Sequence, residues 1–192
     1  MFILLNIPPV VYAGNKINTD SVFVLKAKLE FTVPLSYDHK SQVDCFSEQW
    51  KNQKDITDYD SDITDGFFGK FQQLQPGKKY ELIIYSINQE VTADKCLHFI
   101  KKQKGAIVAG PQALTLMYEL LKDKLPKKLR LLALSENRKT LESKGCHWIS
   151  LLDTNIDNTF SFYVACVENK WGHGDRTDHG FVADHIFYLV EK

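Results

Sequence analysis

The stretch from Val22 to Val33 (VFVLKAKLEFTV) constrains the fold more than any other part of the chain. Val22, Val24, Lys26, Lys28, Glu30 and Thr32 fall on one side of an extended backbone, and Phe23, Leu25, Ala27, Leu29, Phe31 and Val33 on the other. A period of two marks a strand with one face buried and one in water. The spacing predicts a long half-buried strand, ended by Pro34, which has no N–H for a ladder. Such a strand needs a sheet, and the sheet needs a layer over its apolar face.

That layer is legible further along. Tyr80 to Ile87 (YELIIYSI) reads as a strand, and Thr92 to Lys104 as a helix capped by Thr92, with Cys96, Phe99 and Ile100 at helical spacing. Gly105 to Ala109 (GAIVA) is a short apolar strand. Gly110-Pro111 opens a helix reaching about Asp123, with Leu114, Met117, Tyr118 and Leu121 as its apolar stripe. Proline suits the first helical position, where an N–H would be unsatisfied anyway. Leu129 to Leu134 reads as a strand, Asn137 to Lys144 as a short helix closed by Gly145, and Cys146 to Leu152 as another strand. Alternating strands and helices predict an α/β fold: a mixed β-sheet with a parallel β-α-β core over about residues 80–152, antiparallel strands from both chain ends, and flanking helices. Thr159 to Val167 and Phe181 to Val190 read as an antiparallel hairpin or neighbouring pair.

Before residue 80 the pattern is less regular. Ser41 to Lys54 reads as a helix with Ser41 as N-cap and Cys45, Phe46 and Trp50 on one side. Asp55 to Gly66 reads as an acidic loop, and Pro76-Gly77 as a turn. Residues 1–192 are read as one domain, with residue 78 as the place where a subdomain division would fall. Met1 to Ala13 has no basic residue and is broken by Asn6, Pro8 and Pro9, so it is read as a first strand with a Pro-Pro bend and not as a secretory signal.

Composition narrows the partners. The 24 basic and 24 acidic residues cancel, which removes any global attraction to nucleic acid or an anionic membrane. Lys122, Lys124, Lys127, Lys128 and Arg130 cluster around Pro126 and read as a solvated helix end and loop. No apolar run has the length of a membrane span. The four cysteines, Cys45, Cys96, Cys146 and Cys166, form no CxxC pair, so neither a zinc ribbon nor a thioredoxin-type site is expected. They read as reduced thiols, which places the chain in the cytoplasm.

Three groups of residues carry candidate chemistry. His173, Asp175, Asp178 and His179 lie in a Gly-containing loop after Trp171, and imidazole with carboxylate is a ligand set for zinc, iron or manganese. A polar hairpin loop with solvated side chains explains the same residues, and no HExxH spacing is present. The strand-to-helix step at Gly110, Pro111 and Gln112, with Asn88 nearby in the expected crevice, offers a helix N-terminus to a small ligand. It lacks both GxGxxG and GxxxxGK[ST], so a simple tight connection competes with that reading. The acidic loop fails the EF-hand pattern: counted from Asp58, positions 6 and 12 hold Ile63 and Gly69. Its aromatic neighbours Tyr59, Phe67 and Phe68, together with Trp171, suit a protein-binding surface if they are exposed.

No nucleophile motif such as GxSxG is present, and Cys146 and His147, as neighbours on a strand, point to opposite faces. The reading that follows is a non-enzymatic protein-interaction module, an inhibitor or regulator of another protein. The alternatives are a metal-assisted hydrolase built on the His/Asp loop and a small-ligand binder at the Gly110 helix start. No cofactor is identified by any motif, and the partner is expected to be protein, with neither nucleic acid nor membrane.

Overall fold

The computed structural model describes residues 22–63, 74–108, 110–134, 147–167 and 185–192. Its elements in chain order are β1 (Phe23–Thr32), α1 (His39–Gln49) continued by a 3₁₀ turn (Trp50–Asn52), β2 (Ile56–Tyr59), β3 (Lys79–Ile87), α2 (Ala93–Lys101), β4 (Ala106–Ile107), α3 (Pro111–Leu121), β5 (Leu129–Ala133), β6 (His147–Thr154), β7 (Phe160–Val167) and β8 (His185–Glu191). The eight strands of the described residues join one sheet in the order β1-β3-β8-β5-β6-β7-β2, with β4 pairing β8 beside this path.

The sheet is mixed and flanked by helices, as the alternation of segments predicts. Its parallel pairings are β5·β8 and β2·β7, and the others are antiparallel. Within residues 80–152 the parallel relation survives in β3 and β4, which run the same way around the crossover helix α2. They do not touch, because β8 inserts between them. β5 runs opposite to both and pairs β6 antiparallel. The expected hairpin of the last two strands is corrected in the same way: β7 pairs β6 and β2, while β8 pairs β3, β4 and β5. Local pattern reports that a segment is extended, and its partner is decided by the core that the whole sheet closes over.

Alternation along the strands sends side chains to two apolar layers. Tyr80, Leu82, Ile84, Leu131, Leu152, Phe162 and Leu189 face the layer covered by α1 and α3, which contribute Phe46, Leu114, Met117 and Tyr118. Ile83, Leu132, Leu151, Ile186 and Tyr188 face the opposite layer, to which α2 contributes Cys96 and Ile100. The long strand departs from strict alternation. A bulge between Leu25 and Ala27 shifts the register, so Leu29 and Phe31 pack with the first layer, Phe23 packs with the second, and Leu25 is left 43% exposed. One extra residue in a strand swaps the face of everything before it. Phe23 is then free to stack on Phe99 of α2, with ring centroids 4.2 Å apart.

The starts of α1 and α2 are capped by side chains, whereas α3 begins at Gly110-Pro111 without one. Thr92 accepts from the Lys95 N–H as expected. For α1 the cap is Asp38 and not Ser41: the Asp38 Oδ1 accepts the Ser41 N–H at 2.8 Å. Among the described residues, no helix is long and apolar enough to cross a membrane.

Candidate functional site

The helix start nominated from the sequence lies in a polar seam between α1 and α3. Gln112, Thr115 and Glu119 sit at i, i+3 and i+7 of α3, on one helix face. The Asp38 cap fixes where α1 begins, and thereby places His39 and Gln42 opposite them. Gln42 Nε2 donates to Thr115 Oγ1 at 3.3 Å and to Glu119 Oε2 at 2.9 Å. Gln112 Nε2 lies 3.3 Å from His39 Nε2, and His39 Nδ1 lies 2.9 Å from the Tyr37 hydroxyl. Thr115 Oγ1 donates back to the Gln112 carbonyl at 3.0 Å.

The seam is lined by side-chain donors and acceptors more than by backbone N–H groups. Pro111 supplies no N–H, and the Ala113 N–H is spent on the Gly110 carbonyl at 2.9 Å. Gly110, Pro111 and Gln112 are all buried. Asn88 does not join them. It follows β3 on the far side of β8, where its N–H donates to the Val22 carbonyl at 2.9 Å and its Oδ1 accepts from Ser86 Oγ at 3.4 Å. The crevice expected from the parallel β-α-β core depended on β3 and β4 being adjacent, and β8 lies between them.

A second cluster ties the end of α3 to β2. The Tyr118 hydroxyl donates to Asp55 Oδ1 at 2.5 Å, and Lys122 Nζ donates to Asp55 Oδ2 at 2.8 Å. The Lys122 ammonium also lies 5.1 Å from the centre of the Tyr118 ring. Partial burial pushes the Asp55 carboxyl up, but the hydrogen bonds from Lys122 and Tyr118 outweigh it and hold the group below its ordinary range. Burial first, and the hydrogen bond to Asp55 second, push the Tyr118 phenol well up.

The segment expected to be an acidic loop thus contains a strand. Ile56 and Tyr59 of β2 are buried against the first apolar layer. Tyr59, nominated as an exposed contact for a partner, is 6% exposed and its ring packs among Phe46, Trp50 and Phe162. An aromatic beside aspartates reads as surface until the sheet supplies an apolar layer for it. Phe67, Phe68, Trp171, His173, Asp175, Asp178 and His179 lie outside the described residues, as do the expected N-terminal strand and the helix after Asn137. Among the described residues, no group of three or more histidines, cysteines or carboxylates is placed to hold a metal ion.

The most exposed large apolar side chain among the described residues was not singled out by the sequence. Leu35 is 86% exposed on the turn after β1. The turn is closed by the Tyr37 N–H to the Pro34 carbonyl at 3.0 Å. Beside it, the Gly77 turn is bound through the Val33 N–H to the Lys78 carbonyl and the Gly77 N–H to the Val33 carbonyl, both at 2.9 Å. No signal in the sequence distinguishes Leu35 from a core leucine, and neither the His39–Gln112 nor the Gln42–Thr115 contact, each spanning 73 positions, has a local pattern. No family model matches the chain, and no curated protein or solved structure matches it significantly.

Proposed function

We propose that this chain is a non-enzymatic protein-interaction module that acts as an inhibitor or regulator of another protein. The observation that supports this is the presentation of Leu35. Single exposed aliphatic side chains are ordinary on protein surfaces. Leu35 is 86% exposed, and hydrogen bonds fix the backbone of its own turn and of the adjoining Gly77 turn. An apolar anchor on a fixed backbone loses little conformational freedom when it enters a partner's pocket. The contact is therefore expected to be a small one centred on Leu35, with a protein that offers an apolar cavity.

Paired surface variants test this. Leu35→Asp and Lys124→Asp both place a new carboxylate on an exposed turn, and their thermal unfolding shows whether each remains folded. A protein partner captured by the wild type and by Lys124→Asp, but lost by Leu35→Asp, supports the reading. Equal capture by all three removes Leu35 from the interface.

A small-ligand site at the start of α3 is the second reading, favoured by the seam of Tyr37, His39, Gln42, Gln112 and Thr115. Titration with inorganic phosphate and with a nucleotide, followed at the Gln112 side-chain amide by NMR, checks it. An unmoved resonance at millimolar ligand counts against that site.

A further inference from the structure

Edge strand β2 is attached to the sheet in an unusual way. Among the described residues it pairs with β7 alone, over four residues, and the register slips between Ile56 and Asp58. Side chains replace much of the missing ladder. Thr57 Oγ1 donates to the Phe160 carbonyl at 3.1 Å and lies 2.7 Å from Ser161 Oγ. Asp60 Oδ2 accepts the Val164 N–H at 3.3 Å. At the other end, Asp55 takes Tyr118 and Lys122 on its carboxylate, and the Phe160 N–H on its carbonyl at 2.8 Å.

The same strand carries a penalty. The Tyr59 hydroxyl is buried, and no described residue gives it a hydrogen bond. An unpaired buried hydroxyl is destabilising, and the cost is relieved when the group reaches water. Asp44 and Asp60 stand close enough to disfavour its ionisation further, after burial itself.

We infer that β2 is a releasable strap: it is held to β7 by the Asp55 carbonyl and the Thr57 and Asp60 side chains, and to α3 by the Asp55 carboxylate, and its opening frees the Tyr59 hydroxyl to water and bares the outer edge of β7. The strap opens as a local unit while the central β5·β6 ladder stays closed. This inference does not depend on the Leu35 reading.

Three amides report the strap directly: Phe160, bonded to the Asp55 carbonyl; Asp60, bonded to the Phe162 carbonyl; and Val164, bonded to the Asp60 carboxylate. Hydrogen exchange at these amides is compared with exchange in the β5·β6 ladder for the wild type, Asp55→Asn and Tyr59→Phe. In the wild type the three are expected to exchange at least about tenfold faster than the ladder. Asp55→Asn is expected to widen that gap by about tenfold, through loss of the charged acceptor, and Tyr59→Phe to narrow it by about fivefold, through removal of the unpaired hydroxyl. Should Asp55→Asn fail to fold, Tyr118→Phe removes one of the two side-chain bonds more gently. The inference is overturned if the three amides exchange with the ladder in the wild type, or if Tyr59→Phe leaves the gap unchanged.

Discussion

Tyr118 and Asp55, 63 positions apart, meet with the phenol oxygen 2.5 Å from the carboxylate oxygen, and Lys122 one helical turn on holds the other oxygen of the same carboxylate. Three polar groups thus join the last turn of α3 to the entry of an edge strand. Asp55 is the hinge of this arrangement because it is the only one of the three whose charge changes at moderately acid pH.

The sign of the acid effect follows from the direction of its shift. The folded protein holds the Asp55 carboxyl below the value it has when unfolded. Its contribution to stability is fully present above about pH 4 and is lost as pH falls through the lower folded-state value. The thermal midpoint of the wild type is therefore expected to exceed that of Asp55→Asn at neutral pH, and the difference to shrink below pH 4. A difference that stays constant from pH 7 to pH 2 would show that the charge of Asp55 contributes nothing.

A neutral residue tests buried hydrogen bonding without charge. Thr154 is buried on β6, donates to the Pro126 carbonyl at 2.7 Å, and accepts the Leu129 N–H at 2.9 Å. Valine keeps the shape and removes both bonds, leaving a buried donor and acceptor unpaired. Thr154→Val is expected to cost about 2–4 kcal/mol in chemical denaturation. A loss below about 0.5 kcal/mol would mean that the loop from Pro126 to Leu129 re-satisfies itself.

The sheet and both of its layers were largely legible because alternation and helical stripes are local. Val22 to Val33, Tyr80 to Ile87 and the Leu114–Leu121 stripe all form the elements that their periods predict. Partner choice was not legible. Nothing near Phe181 to Val190 says that β8 will lie between β3 and β5, since that position is set by packing across the whole chain. The bulge at Leu25 and the burial of Tyr59 escaped for the same reason. Of the ligand candidates, Gln112 was found through its helix start, while His39 and Gln42 reach it only through the tertiary contact of α1 with α3.

Two glycines separate backbone strain from crowding. Gly77 and Gly105 have φ of +76° and +72°, a region that disfavours any side chain. A Cβ at Gly105 would find its nearest neighbour, Val190, at 3.8 Å, whereas one at Gly77 would meet the Leu35 Cδ2 at 3.0 Å. Gly105→Ala is expected to cost about 1 kcal/mol from the backbone alone. Gly77→Ala should cost a similar amount, since the Leu35 side chain can swing into water, but it should also move Leu35. Weaker partner capture by Gly77→Ala and not by Gly105→Ala would link the Gly77 turn to the Leu35 contact, and equal capture would separate them.

Cys96 provides a chemical reading of the opposite layer. It is fully buried on α2, in the apolar cluster with Ile83, Ile100, Leu132 and Ile186, and burial pushes its thiol up to about 12. The thiolate is the reactive form, so at pH 8 roughly one molecule in ten thousand is poised to react, and the sheet denies access even to that one. Iodoacetamide is expected to leave the Cys96 peptide unmodified in the native protein and to modify it fully in about 6 M guanidinium, as read by mass spectrometry. Labelling at the same rate in both conditions would mean that α2 does not cover the sheet in solution. The complementary variant, Cys96→Ser, places a hydroxyl in the same apolar cluster and is expected to lower stability by about 1–3 kcal/mol. If labelling is blocked and Cys96→Ser is neutral, α2 packs over the sheet while leaving the hydroxyl a route to a hydrogen bond. Blocked labelling with the full loss of stability shows a dry, closed layer.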